Sequence, residues 1–328
     1  MNTFWAVILL VGGLAILWKC AELLVAGAVG LAQRLGISSL VVGLTVVAMG
    51  TSAPELAASV AGVLRQSGGG DLAIGNVFGS NIANLALVGG LIALIRPLQV
   101  QKQTLYRQIP TMIAVALLLL PFLYNSNLSR PEGFILLVVF AAFIYFTVHA
   151  AKRESKQNSI ENNKRNTTDL SHRDEIRHTI KHVLFVIIGL AGLALGAKMT
   201  VDGAVFIGRL IGISEAVIAL TIIAFGTSLP ELVTCVVAAI RGEHDISVGN
   251  LVGSNIFNTL LVTGTAGVVR PFEVGHGLAG GVDFWIMIAV SAAFAFAILI
   301  GQRVIGRLAG ALLLCVYFGY MIYLYLLN

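Results

Sequence analysis

Apolar runs of about 18 residues or more recur along the whole of this chain, a length that suits helices crossing a lipid bilayer. In hydrocarbon every backbone polar group must find its partner within the protein, which leaves helices or a closed barrel. The runs show no period-2 alternation, so a barrel is not expected. The expected fold class is an all-α membrane protein of about ten transmembrane helices, over 4–34, 39–64, 72–95, 109–124, 132–150, 180–210, 215–240, 246–269, 282–301 and 306–327. At ~45 Å the first and sixth are long enough to need a steep tilt. Composition agrees: 57% of residues are hydrophobic and 11% charged, against roughly 25% charged in soluble domains. The first run continues from Phe4 to about Leu35, too far for a cleaved leader.

Only one stretch is strongly polar, "KRESKQNSIENNKRNTTDLSHRDEIRHTIKH" from Lys152 to His182. It is expected to be a flexible linker, dividing the chain into a first half (1–150), the linker (151–182) and a second half (183–328). Basic residues set the orientation. With the N-terminus outside, the inner loops collect Arg34, Arg96, Lys102, Arg107, Arg241, Arg303, Arg307 and the eight Lys/Arg of the linker. The outer loops keep Arg65, Arg130, Arg209 and Arg270. By the positive-inside rule both termini lie on the non-cytoplasmic side and the linker is cytoplasmic. The net charge of +5 belongs to these loops, so no nucleic-acid partner is expected.

The halves repeat each other. "LAQRLGISSLVVGLTVVAMGTSAPEL" (31–56) returns as "IGRLIGISEAVIALTIIAFGTSLPEL" (207–232), 176 positions later. "DLAIGNVFGSNIANLALVGG" (71–90) returns as "DISVGNLVGSNIFNTLLVTG" (245–264), 174 positions later. Five helices per half is an odd number, so the second half enters the membrane inverted. Inverted repeats place substrate sites near the midplane, between the repeats.

Within the repeats, "GTSAPE" (50–55) and "GTSLPE" (226–231) set a carboxylate inside an apolar run. An ionised carboxylate there costs at least ~2.5–3.5 kcal/mol, and interhelical hydrogen bonds return only ~0.6 kcal/mol on average. Structural glue therefore does not explain Glu55 and Glu231. Pro54 and Pro230 loosen the turn before each glutamate, exposing carbonyl oxygens beside the hydroxyls of Thr51, Ser52, Thr227 and Ser228. Non-helical backbone at this depth must be buried in protein or line a wet cavity. Such a set of hard oxygens suits a cation. In the second motif, Ser80 and Asn84 share a helix face, as do Ser254 and Asn258, while Gly75, Gly79, Gly249 and Gly253 invite close helix packing. Two carboxylates with many neutral oxygens suit Ca²⁺ better than Mg²⁺, and the same oxygens could hold Na⁺.

The paired "GTSxPE" and "GSNIxN" motifs resemble the two α-repeats of the sodium/calcium exchangers, in the calcium:cation antiporter superfamily. The likeness spans about residues 5 to 325 and is to the compact prokaryotic type. It implies ten helices, a central site shared by helices two, three, seven and eight, and alternating access as helices one and six slide across that core. By position it implies that Glu55 and Glu231 bind Ca²⁺ or Na⁺ in competition. Thr51, Ser52, Ser80, Thr227, Ser228 and Ser254 would lend oxygens to flanking Na⁺ sites, and Asn84 and Asn258 would stand beside the carboxylates. Some members, the potassium-dependent branch among them, carry Asp where this chain has Asn258, which argues against K⁺ co-transport. The expected function is secondary active Ca²⁺/Na⁺ antiport in the plasma (inner) membrane, with Ca²⁺/H⁺ antiport as the alternative and a passive cation channel behind it. No cofactor and no obligatory protein partner is expected; the partners are Ca²⁺, Na⁺ or H⁺, and lipid.

Other polar residues receive structural assignments. Lys19 with Glu22 and Lys198 with Asp202 are expected to form local ion pairs. Asp71 and Asp245 are expected to cap helices three and eight. Cys20, Cys235 and Cys315 have no metal-ligand or disulfide spacing, and the histidines suggest no metal site. An intramembrane hydrolase using Ser52 or Ser228 is disfavoured: no buried His accompanies either serine, and G-x-S-x-G is missing. The chain is not expected to be an enzyme.

Overall fold

A sequence this apolar closes its hydrogen bonds locally, and the chain does so as helices. A computed structural model describes residues 2–65, 69–123, 126–162, 172–213, 218, 224–275 and 281–327. The helices are α1 (Thr3–Leu35), α2 (Ser39–Thr51 and Ala53–Val63), α3 (Gly69–Ile95), α4 (Thr104–Leu123), α5 (Arg130–Asn162), α6 (His172–Leu210), α7 (Ala224–Thr227 and Leu229–Ile240), α8 (His244–Val269), α9 (Val282–Ile300) and α10 (Arg307–Leu327). Among the described residues, eight are single helices long and apolar enough to cross a membrane, and the bent α2 makes a ninth if taken as one span. Residues 215–217 and 219–223, expected at the start of the seventh span, lie outside the described residues.

The polar segment departs from expectation. Helix α5 runs on to Asn162 and α6 already begins at His172; residues 163–171 lie outside the described residues. Low hydropathy marks where a chain leaves the bilayer, not where its helix stops. Lys152, Glu154, Lys156 and Gln157 are good helix formers once out in water.

Helices α3 and α8 form the centre. Helix α8 lies against α2, where backbone meets backbone: a Cβ added to Gly249 would sit 2.7 Å from the Leu40 carbonyl oxygen, and one on Gly253 would sit 2.6 Å from that of Leu44. Among the described residues nothing lies within 4 Å of a Cβ at Gly75 or Gly79. Their counterpart contacts would fall on 214–223, mostly outside the described residues. Helix α10 packs on α3 through Gly310 and Gly90, and α5 packs on α8 through Gly133 and Gly264. Phe78 with Phe284 and Phe140 with Phe257 fill the core edge to face.

Helices α1 and α6 pair antiparallel along most of their length. A Cβ added to Gly13 would lie 2.7 Å from the Thr200 nitrogen, and one on Gly203 would lie 2.6 Å from the Ala6 carbonyl oxygen. Lys19 pairs with Glu22 at 3.0 Å as expected, and Glu22 also receives Arg241 at 3.2 Å, tying α1 to the end of α7. Among the described residues Lys198 and Asp202 form no ion pair, contrary to expectation.

Loops at the helix ends lock the halves together. Arg96 donates to the carbonyls of Ala239 and Ile240 at the end of α7, and Arg270 donates to those of Leu64 and Arg65 at the end of α2. Two short antiparallel ladders join β1 (Leu98–Gln99) to β4 (Val304–Ile305) and β2 (Asn127–Leu128) to β3 (Phe272–Glu273). Asp71 and Asp245 are corrected from caps to cross-links. Each sits inside the first helical turn, and the cap position of α8 is Glu243. Asp71 accepts from the Gly275 N–H at 2.6 Å, and Asp245 from Gln101 Nε2 at 2.6 Å.

Candidate functional site

The hexapeptides break their helices as proline demands. In α2 the helix stops at Thr51, bends by 42° and restarts at Ala53 with Pro54 in its first turn. Ser52, at φ −81° and ψ 6°, is the hinge. Helix α7 is interrupted in the same way at Ser228, with φ −87° and ψ 4°, and restarts at Leu229 with Pro230 in its first turn. Each break aims the first turn of a new helix, carrying its glutamate, into the protein interior. Glu55 and Glu231 are both 0% exposed.

The second motif has its own irregularity. Asn84 lies in a π-helical stretch, Ala83–Val88, inside α3, and Asn258 opens another, Asn258–Val262, inside α8. A π-turn loosens local hydrogen bonding and recurs at functional sites. Asn84, Asn258, Ser80 and Ser254 are all buried, as are Thr51, Ser52 and Ser228, while Thr227 is half-buried.

Contacts cross between the halves at this level. Ser52 Oγ donates to Glu231 Oε1 at 3.3 Å, and Thr51 Oγ1 donates to Asn250 Oδ1 at 3.0 Å. Asn76 Nδ2 donates to the backbone carbonyl of Glu55 at 3.1 Å and to Ser59 Oγ at 2.9 Å. Both oxygens of Glu55, Oε2 of Glu231, the amides of Asn84 and Asn258 and the hydroxyls of Ser228 and Ser254 are buried with no hydrogen-bond partner among the described residues. A buried polar atom left this way costs about 1–3 kcal/mol, more if charged. Nearly all the sequence-derived candidates are thus in the unpaired set or bonded directly beside it. Their chemistry is uniform: two carboxylates, amide oxygens and hydroxyls, the ligands of a hard cation. Among the described residues no group of three His, Cys, Asp or Glu comes together, so neutral oxygens must complete any cation shell here.

Asn76 and Asn250 were not among the candidates. The duplicated motif contains both, each following a glycine and standing one turn before Ser80 or Ser254, but nothing in the motif set them apart from ordinary helix-packing polar residues. Asn81 and Asn255, next to Ser80 and Ser254, are buried as well: Asn81 Nδ2 donates to Thr259 Oγ1 at 3.1 Å and Asn255 Nδ2 to the Leu251 carbonyl at 2.7 Å, while the Oδ1 atom of each has no hydrogen-bond partner among the described residues.

Comparison with known proteins now gives the family. The model of the sodium/calcium exchanger protein family matches residues 5–149 and 181–326. The chain is 37% identical to the inner membrane protein YrbG of Escherichia coli, over 88% of this chain and 87% of that one. It is 32% identical to the sodium/calcium exchanger MaX1 of Methanosarcina acetivorans, over 97% and 98% respectively. The solved sodium/calcium exchanger from Methanococcus jannaschii superposes with a TM-score of 0.81 at 27% identity, covering 98% of this chain and 99% of that one. The chain is a membrane protein that belongs to the sodium/calcium exchanger family.

Proposed function

We propose that this protein exchanges Ca²⁺ for Na⁺ across the inner membrane by alternating access, at a site built from both halves. The observation that carries this reading is the set of buried, unpaired oxygens on α2, α3, α7 and α8, with one carboxylate from each half and Ser52 of one half bonded to Glu231 of the other. The archaeal relative and the solved neighbour are named as sodium/calcium exchangers, which fits that ligand set. A lone carboxylate would leave a buried Ca²⁺ with net charge +1, whereas Glu55 and Glu231 together neutralise it. When Ca²⁺ departs, two bare anions remain in a medium of low dielectric, so Na⁺ enters before the site can cross. That linkage makes transport obligatory exchange. Thr51, Ser52, Ser80, Thr227, Ser228, Ser254, Asn84 and Asn258 supply the neutral oxygens.

The same reading has ten helices in two inverted halves. Its support is the pairing of contacts at the repeat offsets: Arg96 matches Arg270, Asp245 matches Asp71, and Gln101 matches Gly275. The paired helices α1 and α6, joined through small residues, are the moving unit. Basic loops place the linker in the cytoplasm and both termini outside. In a variant lacking Cys20 and Cys315, Ser126→Cys should label from outside with an impermeant reagent and Ser159→Cys should not.

Reconstitution tests the function itself. Ca²⁺ uptake into proteoliposomes is measured under imposed Na⁺, K⁺ or H⁺ gradients at fixed membrane potential. The expected result is uptake driven by outward Na⁺ alone. Uptake driven by H⁺ without Na⁺ would establish Ca²⁺/H⁺ antiport instead, and flux with no counter-ion would establish a channel.

A further inference from the structure

Thr51 is joined to a buried chain of polar groups from the other half. Thr51 Oγ1 donates to Asn250 Oδ1 at 3.0 Å, closer than the Ala48 carbonyl at 3.4 Å, and the Glu231 carboxylate is a further acceptor within its reach. Asn250 Nδ2 donates to Cys235 Sγ at 3.1 Å, and Cys235 Sγ donates to the Ser247 carbonyl at 3.5 Å. Ser247 Oγ closes the loop by donating to the Cys235 carbonyl at 3.1 Å. Asn250, Cys235 and Ser247 are 0% exposed and Thr51 is 1% exposed. Water cannot scramble the directions of these bonds.

Directionality decides what Thr51 can do. A hydroxyl has one proton and two lone pairs. The Asn250 carbonyl has no proton to give, so Thr51 is the donor in this, its shortest, hydrogen bond. The NH₂ of Asn250 is held on the Cys235 sulfur, whose own proton goes to the Ser247 carbonyl, and this orients the amide. Thr51 therefore presents lone pairs, and no proton, away from Asn250. A cation needs that state of the hydroxyl. The first half repeats the anchoring: Asn76 Nδ2 donates to Ser59 Oγ at 2.9 Å, and Ser59 Oγ donates to the Ala73 carbonyl at 3.3 Å, the counterparts of the Asn250–Cys235 and Cys235–Ser247 bonds. Asn76 Nδ2 also reaches the Glu55 carbonyl.

We propose that Asn250 is a positioning residue for ion binding: held by Cys235, it fixes the Thr51 hydroxyl as an acceptor-only ligand. This rests on the reading of Thr51 as a ligand, and the test separates the two. Na⁺ and Ca²⁺ concentration dependences are measured in proteoliposomes for Thr51→Ala, Asn250→Ala and the double variant. Thr51→Ala should raise the KM of at least one ion about tenfold, the size of one lost hydrogen-bond-strength contact. Asn250→Ala should raise the same KM by about fivefold or more with kcat within about twofold, and the double variant should be no worse than Thr51→Ala. An unchanged KM in Thr51→Ala removes Thr51 as a ligand and the proposal with it. A shifted Thr51→Ala beside an unshifted Asn250→Ala, or additive effects in the double variant, overturns the proposal alone. A second pair leaves Asn250 in place. Cys235→Ser keeps an acceptor for the amide, as Ser59 does, and should behave as wild type. Cys235→Val removes it, frees the amide to turn, and should raise the same KM about threefold. Equal KM values for Cys235→Ser and Cys235→Val overturn the proposal.

Discussion

The central helices and the long peripheral pair solve the membrane problem in opposite ways. In α3 and α8, 78% of the most apolar window is buried inside the protein; in α1 and α6 the figures are 22% and 28%. The central pair can therefore carry Ser, Asn and Thr at positions where lipid would penalise them, because protein surrounds them. The outer pair faces lipid over most of its surface and keeps small residues for the seam between its members, where backbones nearly touch. Chemistry is concentrated in the helices that stay covered, and the long outer pair carries almost none of it.

If that division is right, the largest effect comes from the covered carboxylates. Glu55→Gln and Glu231→Gln should each lower Na⁺-driven Ca²⁺ uptake by about 100-fold or more, since a buried charge that neutralises the ion is lost. Both should still yield monodisperse protein in detergent, because Gln keeps the volume. Near-normal exchange by either variant would break the two-carboxylate site.

The outer seam should respond to bulk instead of charge. Gly13→Leu or Gly203→Leu forces backbones apart, and overpacking of this kind costs about 1–3 kcal/mol. The expected outcome is a melting temperature lowered by several degrees and transport slowed about threefold to tenfold, with ion KM values little changed. A shift in KM without loss of rate would place the seam in the binding site and collapse the distinction.

Smaller effects are expected where loops only fasten the halves. Asp71→Asn and Asp245→Asn keep an acceptor for Gly275 N–H and Gln101, so transport should stay within about twofold of wild type. Asp71→Ala and Asp245→Ala should lose about 1–2 kcal/mol of stability, read as a lower melting temperature. The smallest effect concerns Asn258: replacing K⁺ by choline at fixed Na⁺ gradient and potential should leave Ca²⁺ uptake unchanged. Strict K⁺ dependence would show that a neutral residue at 258 does not decide the matter.

Much of this was legible in the sequence because membranes make hydropathy informative. The long runs located the helices, the duplicated motifs located the buried polar residues, and Pro54 and Pro230 announced the breaks at Ser52 and Ser228. What stayed hidden was directional. The π-turns at Ala83–Val88 and Asn258–Val262 arise from packing around the core and have no local residue code. Asp71 read as a cap because a helix-start aspartate usually is one, whereas its partner, Gly275, is supplied by a distant loop. Asn76 and Asn250 were in plain view within the motif, but which way an amide turns depends on neighbours such as Ser59 and Cys235 that only the fold brings near.

The exchange of helix-end partners has a consequence for how such a chain is made. Residues Leu64 and Arg65, at the end of α2, find their donor in Arg270, and Ala239 and Ile240 find theirs in Arg96. During synthesis the first half emerges with those carbonyls waiting for a residue about two hundred positions away, so it is not a finished unit until Arg270 has been made. Each half acts as the other's template. Two separate copies of one such half, inserted in opposite senses, could make every one of these contacts reciprocally as a two-fold dimer. Joining them through one chain replaces a search between molecules by a tethered encounter, and frees each copy to drift apart in sequence, as Ser59 and Cys235 have done.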